Sequence, residues 1–150
     1  MLPQSGLATT AQIPVDIRRF PWINRLAADY AFAYDRVADF YAGDPRSREA
    51  WRAAIARARA CPRPGAAVAD VIGAQQARRG APAAAVTTTN LLRRPETVAV
   101  VTGQQAGLFG GPLFTLLKAL TAIRLAERIR LEERVPAVAV FWVDAEDHDW

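Results

Sequence analysis

The chain has 150 residues, 51% of them apolar, and a formal net charge of +4. That length and composition suit one domain with its own core and exclude a disordered chain. No run reaches the roughly 18 apolar residues of a membrane-spanning helix, and the single cysteine, Cys61, excludes an intrachain disulfide.

The charge is unevenly spread. Residues 1–94 carry fourteen arginines against seven acidic residues, and residues 95–150 carry five basic residues against eight acidic ones. A basic half can mark a nucleic-acid partner. Here the arginines are scattered along alanine-rich segments without interleaved aromatics, which reads as solvated helix faces and no nucleic-acid partner. Among all these arginines there is one lysine, Lys118, and one histidine, His148. A compact ammonium on a flexible stem suits a phosphate or carboxylate at close range better than a guanidinium does.

In chain order, Met1 to Pro14 has no basic residue and no apolar core of signal-peptide length, so a cytoplasmic chain without membrane attachment is expected. Ile23, Leu26, Tyr30, Tyr34, Val37 and Phe40 recur at helical spacing, which predicts a helix from Trp22 to Tyr41, stopped at Gly43. Its aromatic residues at that spacing read as packing rather than as a base-stacking platform. Asp44-Pro45 reads as an N-cap followed by proline in the first turn of a second helix, running to about Ala60 with Trp51, Ile55 and Ala58 on one side. Cys61 follows with no histidine nearby in sequence, an ordinary thiol rather than a nucleophile. A third helix is expected from Ala66 to Arg79, ended by Gly80 and Pro82. Thr87 to Asn90 reads as a polar connector of poor helix propensity. Residues 1–94 thus form a helical N-terminal region, and residues 95–150 begin an α/β core.

That core reads as a βαβ unit. Val98 to Val101 is a continuous apolar run, and a second one spans Val138 to Val143. Continuous runs suit strands covered on both faces of a parallel sheet. Between them, Thr102 to Gly111 is a glycine-rich turn, and Pro112 opens an amphipathic helix to about Glu132. Leu113, Leu116, Leu117, Leu120, Ile123 and Ala126 are expected on its sheet-facing side.

Two motifs carry chemistry. Gly103, Gly107, Gly110 and Gly111 let backbone approach a ligand, and the helix start behind them favours an anion. Gln104 and Gln105 add amide donors and acceptors, Thr102 a hydroxyl, and Lys118 a cation that could reach back toward the helix start. The spacing is neither G-x-x-x-x-G-K-[ST] nor G-x-G-x-x-G, so the loop reads as an anion or nucleotide site without a standard fingerprint. The second motif is Asp144, Glu146, Asp147, His148 and Asp149. Its carboxylates could hold Mg²⁺ against phosphates, or His148 or a carboxylate could serve as general base. Metal-dependent hydrolysis is a further option, although H-E-x-x-H spacing is lacking and no metal ligand set is assigned.

The phrase Val101-Thr-Gly-Gln-Gln-Ala-Gly-Leu-Phe-Gly-Gly-Pro112, then Lys118, then Phe141-Trp-Val-Asp-Ala-Glu-Asp-His-Asp149, resembles the cysteine-adding enzymes of bacillithiol biosynthesis, the BshC cysteine ligases. The segment Trp22 to Tyr41 also looks like that family's N-terminal helix. The resemblance implies a Rossmann-like parallel sheet and an N-terminal fragment of a longer chain, inactive alone, with a coiled coil and any homodimer contacts beyond residue 150. It implies a ligase joining cysteine to the amine of glucosaminyl-malate, with small-molecule substrates. Cysteine's carboxylate would need activation, for which ATP with Mg²⁺ is the candidate cofactor. Lys118, Asp147 and His148 are then the candidate catalytic residues. Thr102, Gly103, Gln104, Gln105, Gly107, Gly110, Gly111, Glu146 and Asp149 are the candidate substrate- or nucleotide-binding residues. A nucleotide- or anion-binding module without ligase chemistry is the competing class.

Overall fold

A computed structural model of the chain describes residues 15–145. They fall into two compact units, divided between Ser47 and Arg48.

In the first unit the long helix expected from Trp22 to Tyr41 is not formed. Helix α1 covers only Arg25–Phe32, with Asn24 as its cap, accepting a hydrogen bond from the Ala27 amide at 3.1 Å. Ala33 leaves helical geometry (φ −143°, ψ 54°), well before Gly43, and 3₁₀ turns follow at Tyr34–Arg36 and Ala38–Phe40. The reason is packing. The rings of Tyr30 and Tyr41 lie 4.6 Å apart, with Tyr34 6.0 Å and 6.2 Å from them. In a straight helix, residues eleven apart are separated by about 16 Å along the axis. The break brings the three rings together and buries Tyr34 and Val37. It also folds Arg36 back onto Asp29, at 3.3 Å. Asp44 does not cap a helix that begins at Pro45. Its carboxylate accepts from the Arg46 amide at 2.8 Å and from the Arg46 guanidinium, closing a local turn.

The second unit contains α2 (Arg48–Ala60), α3 (Gly65–Arg78), α4 (Ala83–Asn90), β1 (Val98–Gln105), α5 (Leu113–Glu132) and β2 (Ala137–Asp144). Helix α4 corrects the expected connector at Thr87 to Asn90. Its threonine hydroxyls find partners that offset their poor propensity: Thr88 donates to the Ala84 carbonyl, and Gln76 of α3 donates to Thr89, each at 2.8 Å. The Arg63 guanidinium donates to the carbonyls of Ala58, Pro95 and Thr97, tying the end of α2 to the approach to β1.

The strands are parallel, in register from Val98 opposite Ala137 to Gln105 opposite Asp144. Both are longer than the apolar runs that announced them. Ile55 of α2, Val98 of β1, Ala126 and Ile129 of α5, and Ala137 of β2 form the core. The face of α5 turned inward is therefore Ala122, Ala126 and Ile129, not the expected leucines. Leu113, Leu116, Leu117, Leu120 and Ile123 stand on its outer side, each close to half exposed or more. A helix with two apolar stripes carries no unique inward face in its sequence. Small alanines let α5 lie close to a two-stranded sheet, and that stripe wins. The expected cover over both sheet faces is also incomplete among the described residues: Val138 is buried, whereas Val101 and Trp142 remain exposed.

Candidate functional site

The site lies at the carboxyl ends of β1 and β2, where open parallel sheets bind ligands. Thr102, Gly103, Gln104 and Gln105, read from sequence as part of the turn, are the last residues of β1. They stand opposite Phe141, Trp142, Val143 and Asp144, and the Ala106 amide extends the pairing to the Asp144 carbonyl at 2.9 Å. Gly103 is required by this pairing. A Cβ there would sit 2.7 Å from the Trp142 carbonyl oxygen and 3.1 Å from the Trp142 Cβ.

The turn proper runs from Gly107 to Pro112. A Cβ on Gly107 would lie 3.0 Å from the Gly111 Cα, so the two ends of the turn nearly touch. Three successive residues then adopt left-handed backbone: Phe109 (φ 54°), Gly110 (φ 86°) and Gly111 (φ 79°). Glycine takes that conformation without steric penalty, and phenylalanine does not. Pro112, at φ −66° and ψ 157°, delivers the chain into α5.

Lys118 reaches back from α5 to the strand. Its Nζ donates to the Gly103 carbonyl at 3.2 Å and to Gln104 Oε1 at 2.8 Å, and lies 4.6 Å from the centre of the Phe114 ring. Gln104 in turn donates toward Gln105 Oε1, at 3.4 Å. The chain's single lysine thus anchors the helix to the end of β1 and places a cation there. Thr115, three residues before Lys118 and on the same side of the helix, has its hydroxyl oxygen buried with no hydrogen-bond partner among the described residues. Sequence reading missed Thr115, although its i, i+3 relation to Lys118 was a usable signal. It also missed Phe109, whose left-handed backbone has no sequence signature.

Of the acidic motif, Asp144 ends β2, and Glu146, Asp147, His148 and Asp149 lie outside the described residues. Among the described residues no three His, Cys, Asp or Glu side chains gather as a metal site, and no helix is long and apolar enough to cross a membrane. Cys61 is exposed.

Comparison with known proteins bears on this geometry. Residues 10–150 match the family described as bacillithiol biosynthesis BshC, N-terminal Rossmann-like domain. A protein of Salinibacter ruber named "Putative cysteine ligase BshC" is 42% identical over 137 residues, 91% of this chain and 24% of the relative. Proteins of the same name from Symbiobacterium thermophilum and Solibacter usitatus are 42% identical over 125 residues and 41% identical over 130 residues. These cover 82% and 87% of this chain. The chain spans 22–24% of the length of these three curated relatives. With the helical region, the glycine turn and both strands inside the matched span, the chain belongs to the BshC family of bacillithiol biosynthesis and is a Rossmann-like α/β domain.

Proposed function

We propose that the chain forms the anion-binding part of a cysteine ligase that joins the carboxylate of L-cysteine to the amine of glucosaminyl-malate as an amide. The observation that carries the reading is the position of Lys118, whose ammonium sits at the carboxyl end of β1, bonded to Gly103 and Gln104. The names of the relatives support the ligase part.

In this reading Gly107, Gly110 and Gly111 let an anion approach the backbone at the start of α5, where the helix dipole favours it. Lys118 adds positive charge at the strand end. Thr102, Gly103, Gln104 and Gln105 bind from the strand end, and Glu146 and Asp149 are assigned as further substrate- or nucleotide-binding residues. Asp147 or His148 takes the proton that the attacking amine gives up. These groups suit a nucleotide polyphosphate. ATP with Mg²⁺ would supply the group that activates cysteine's carboxylate oxygen for departure. The substrates are small molecules and the setting is the cytoplasm, with no nucleic acid or membrane involved.

The test is mass spectrometry of thiol-labelled metabolites in the host with and without the gene. Glucosaminyl-malate should accumulate and its cysteine adduct disappear on deletion. Restoring the gene with Lys118→Met, its folding checked by circular dichroism, should leave the adduct missing. If deletion changes neither metabolite, the substrate assignment falls. Wild-type adduct levels with Lys118→Met would remove the lysine from the chemistry.

A further inference from the structure

The ammonium of Lys118 is committed on three sides. It donates to the Gly103 carbonyl at 3.2 Å and to Gln104 Oε1 at 2.8 Å, and the centre of the Phe114 ring lies 4.6 Å away. An ammonium has donors only, so the Gln104 amide has one allowed orientation, with its oxygen toward Lys118 and its nitrogen turned away. That nitrogen carries two N–H groups. One reaches toward Gln105 Oε1 at 3.4 Å, longer than an ordinary hydrogen bond, and the other has no partner among the described residues. Accepting from a cation also polarises the amide and makes its N–H groups stronger donors. The backbone beneath is fixed as well. Gln104 is paired opposite Val143 of β2, and the adjoining Gly103 packs too closely on the Trp142 carbonyl to admit a Cβ. A preoriented donor on a strand holds its geometry better than one on a loop, and this one stands at the strand end where parallel sheets bind ligands.

We propose that Gln104 is a specificity-determining residue that donates from its amide nitrogen to an oxyanion, a carboxylate or phosphate oxygen of the ligand, and that Lys118 is a positioning residue that acts through it. This rests on the anion-binding reading given above. Lys118 locks the amide in its donating orientation and strengthens it, while its own N–H groups stay on Gly103 and Gln104. A ligand N–H brought to the same place would face a donor and leave both groups unpaired, so the position accepts oxygen and rejects an amine. The anionic end of a substrate or nucleotide is held here, and the attacking amine is kept away.

The experiment titrates the 150-residue chain with inorganic pyrophosphate and, separately, with L-malate, read by calorimetry and by NMR of the Gln104 side-chain amide. Lys118 is the only lysine, so lysine labelled with ¹⁵N at Nζ gives a single signal. That signal should exchange slowly in wild type and faster in Gln104→Met. The Gln104 N–H signals should shift on binding. Gln104→Met and Lys118→Met, each checked by thermal melting, should weaken binding about ten-fold, and the double variant should bind no more weakly than either. Binding of malate alone would support the proposal with a carboxylate as ligand, and binding of pyrophosphate alone with a phosphate. Gln104 signals that stay in place while wild type binds would overturn it, whatever the variants do, and leave the anion reading standing. Undiminished binding by Gln104→Met would do the same. A double variant about a hundred-fold weaker, each change counting separately, would show Lys118 touching the anion itself and overturn its positioning role. Wild type that binds neither probe would end the anion reading, and the role of Gln104 with it.

Discussion

The inward face of α5 can be tested by one pair of substitutions. Ile129→Ala removes Cγ1, Cγ2 and Cδ1 from a side chain only 6% exposed and in the core with Ile55, Val98, Ala126 and Ala137. At about 0.8 kcal/mol for each buried CH₂-sized group, the transfer loss is about 2 kcal/mol. The cavity left behind raises the total to about 3 kcal/mol. Leu120→Ala removes as many carbons from a side chain that is 47% exposed on the outer stripe. Its cost should be about 1 kcal/mol or less, because half of that surface already meets water and no enclosed cavity forms. Urea unfolding followed by far-UV circular dichroism and tryptophan fluorescence reads both, with Trp51 a local reporter because it lines the same cleft as Leu125 and Ile129. In thermal melts each kcal/mol corresponds to about 4–8 °C for a unit of this size. A Leu120→Ala variant as destabilised as Ile129→Ala would refute the inward alanine face.

Two further outcomes follow from the same packing. Gly103→Ala should lower stability by about 1–3 kcal/mol, since its Cβ would press on the Trp142 backbone, and an unchanged urea midpoint would show that the strands can part without cost. Glu133 accepts from Arg52 at 2.9 Å and Arg48 at 2.7 Å, and these guanidiniums hold its carboxyl below the ordinary glutamate range. A depressed carboxylate contributes stability above its unfolded pKa and loses it as pH falls through the folded one. The melting temperature should therefore drop as pH is lowered below about 4.5, and Glu133→Gln should start lower at pH 7 and show a shallower drop. Identical acid profiles for the two forms would remove this triad from the account.

Much of the α/β unit was legible because its signals are local. Val98 to Val101 and Val138 to Val143 are apolar runs of strand length, Pro112 and Pro136 bracket a helix, and the helix of α3 ends where Gly80 takes φ +62°. The glycine turn and its lysine were legible as a pair, since a glycine cluster before a helix and a solitary lysine both stand out from their surroundings. Other features depend on partners distant in the chain. A straight helix through Tyr34 satisfies local periodicity, yet stacking Tyr30 on Tyr41 needs the chain to turn at Ala33. Thr87 to Asn90 has poor intrinsic propensity, and a bond from Gln76 helps make it helical. Composition and local pattern thus determined the element types and the order strand, glycine turn, helix, strand. Tertiary structure alone decided which stripe of α5 meets the sheet, that Lys118 bonds to the end of β1, and that Phe109 stands exposed in a left-handed turn. Those outcomes are set by distances between residues far apart in sequence, and side-chain periodicity carries no record of such distances.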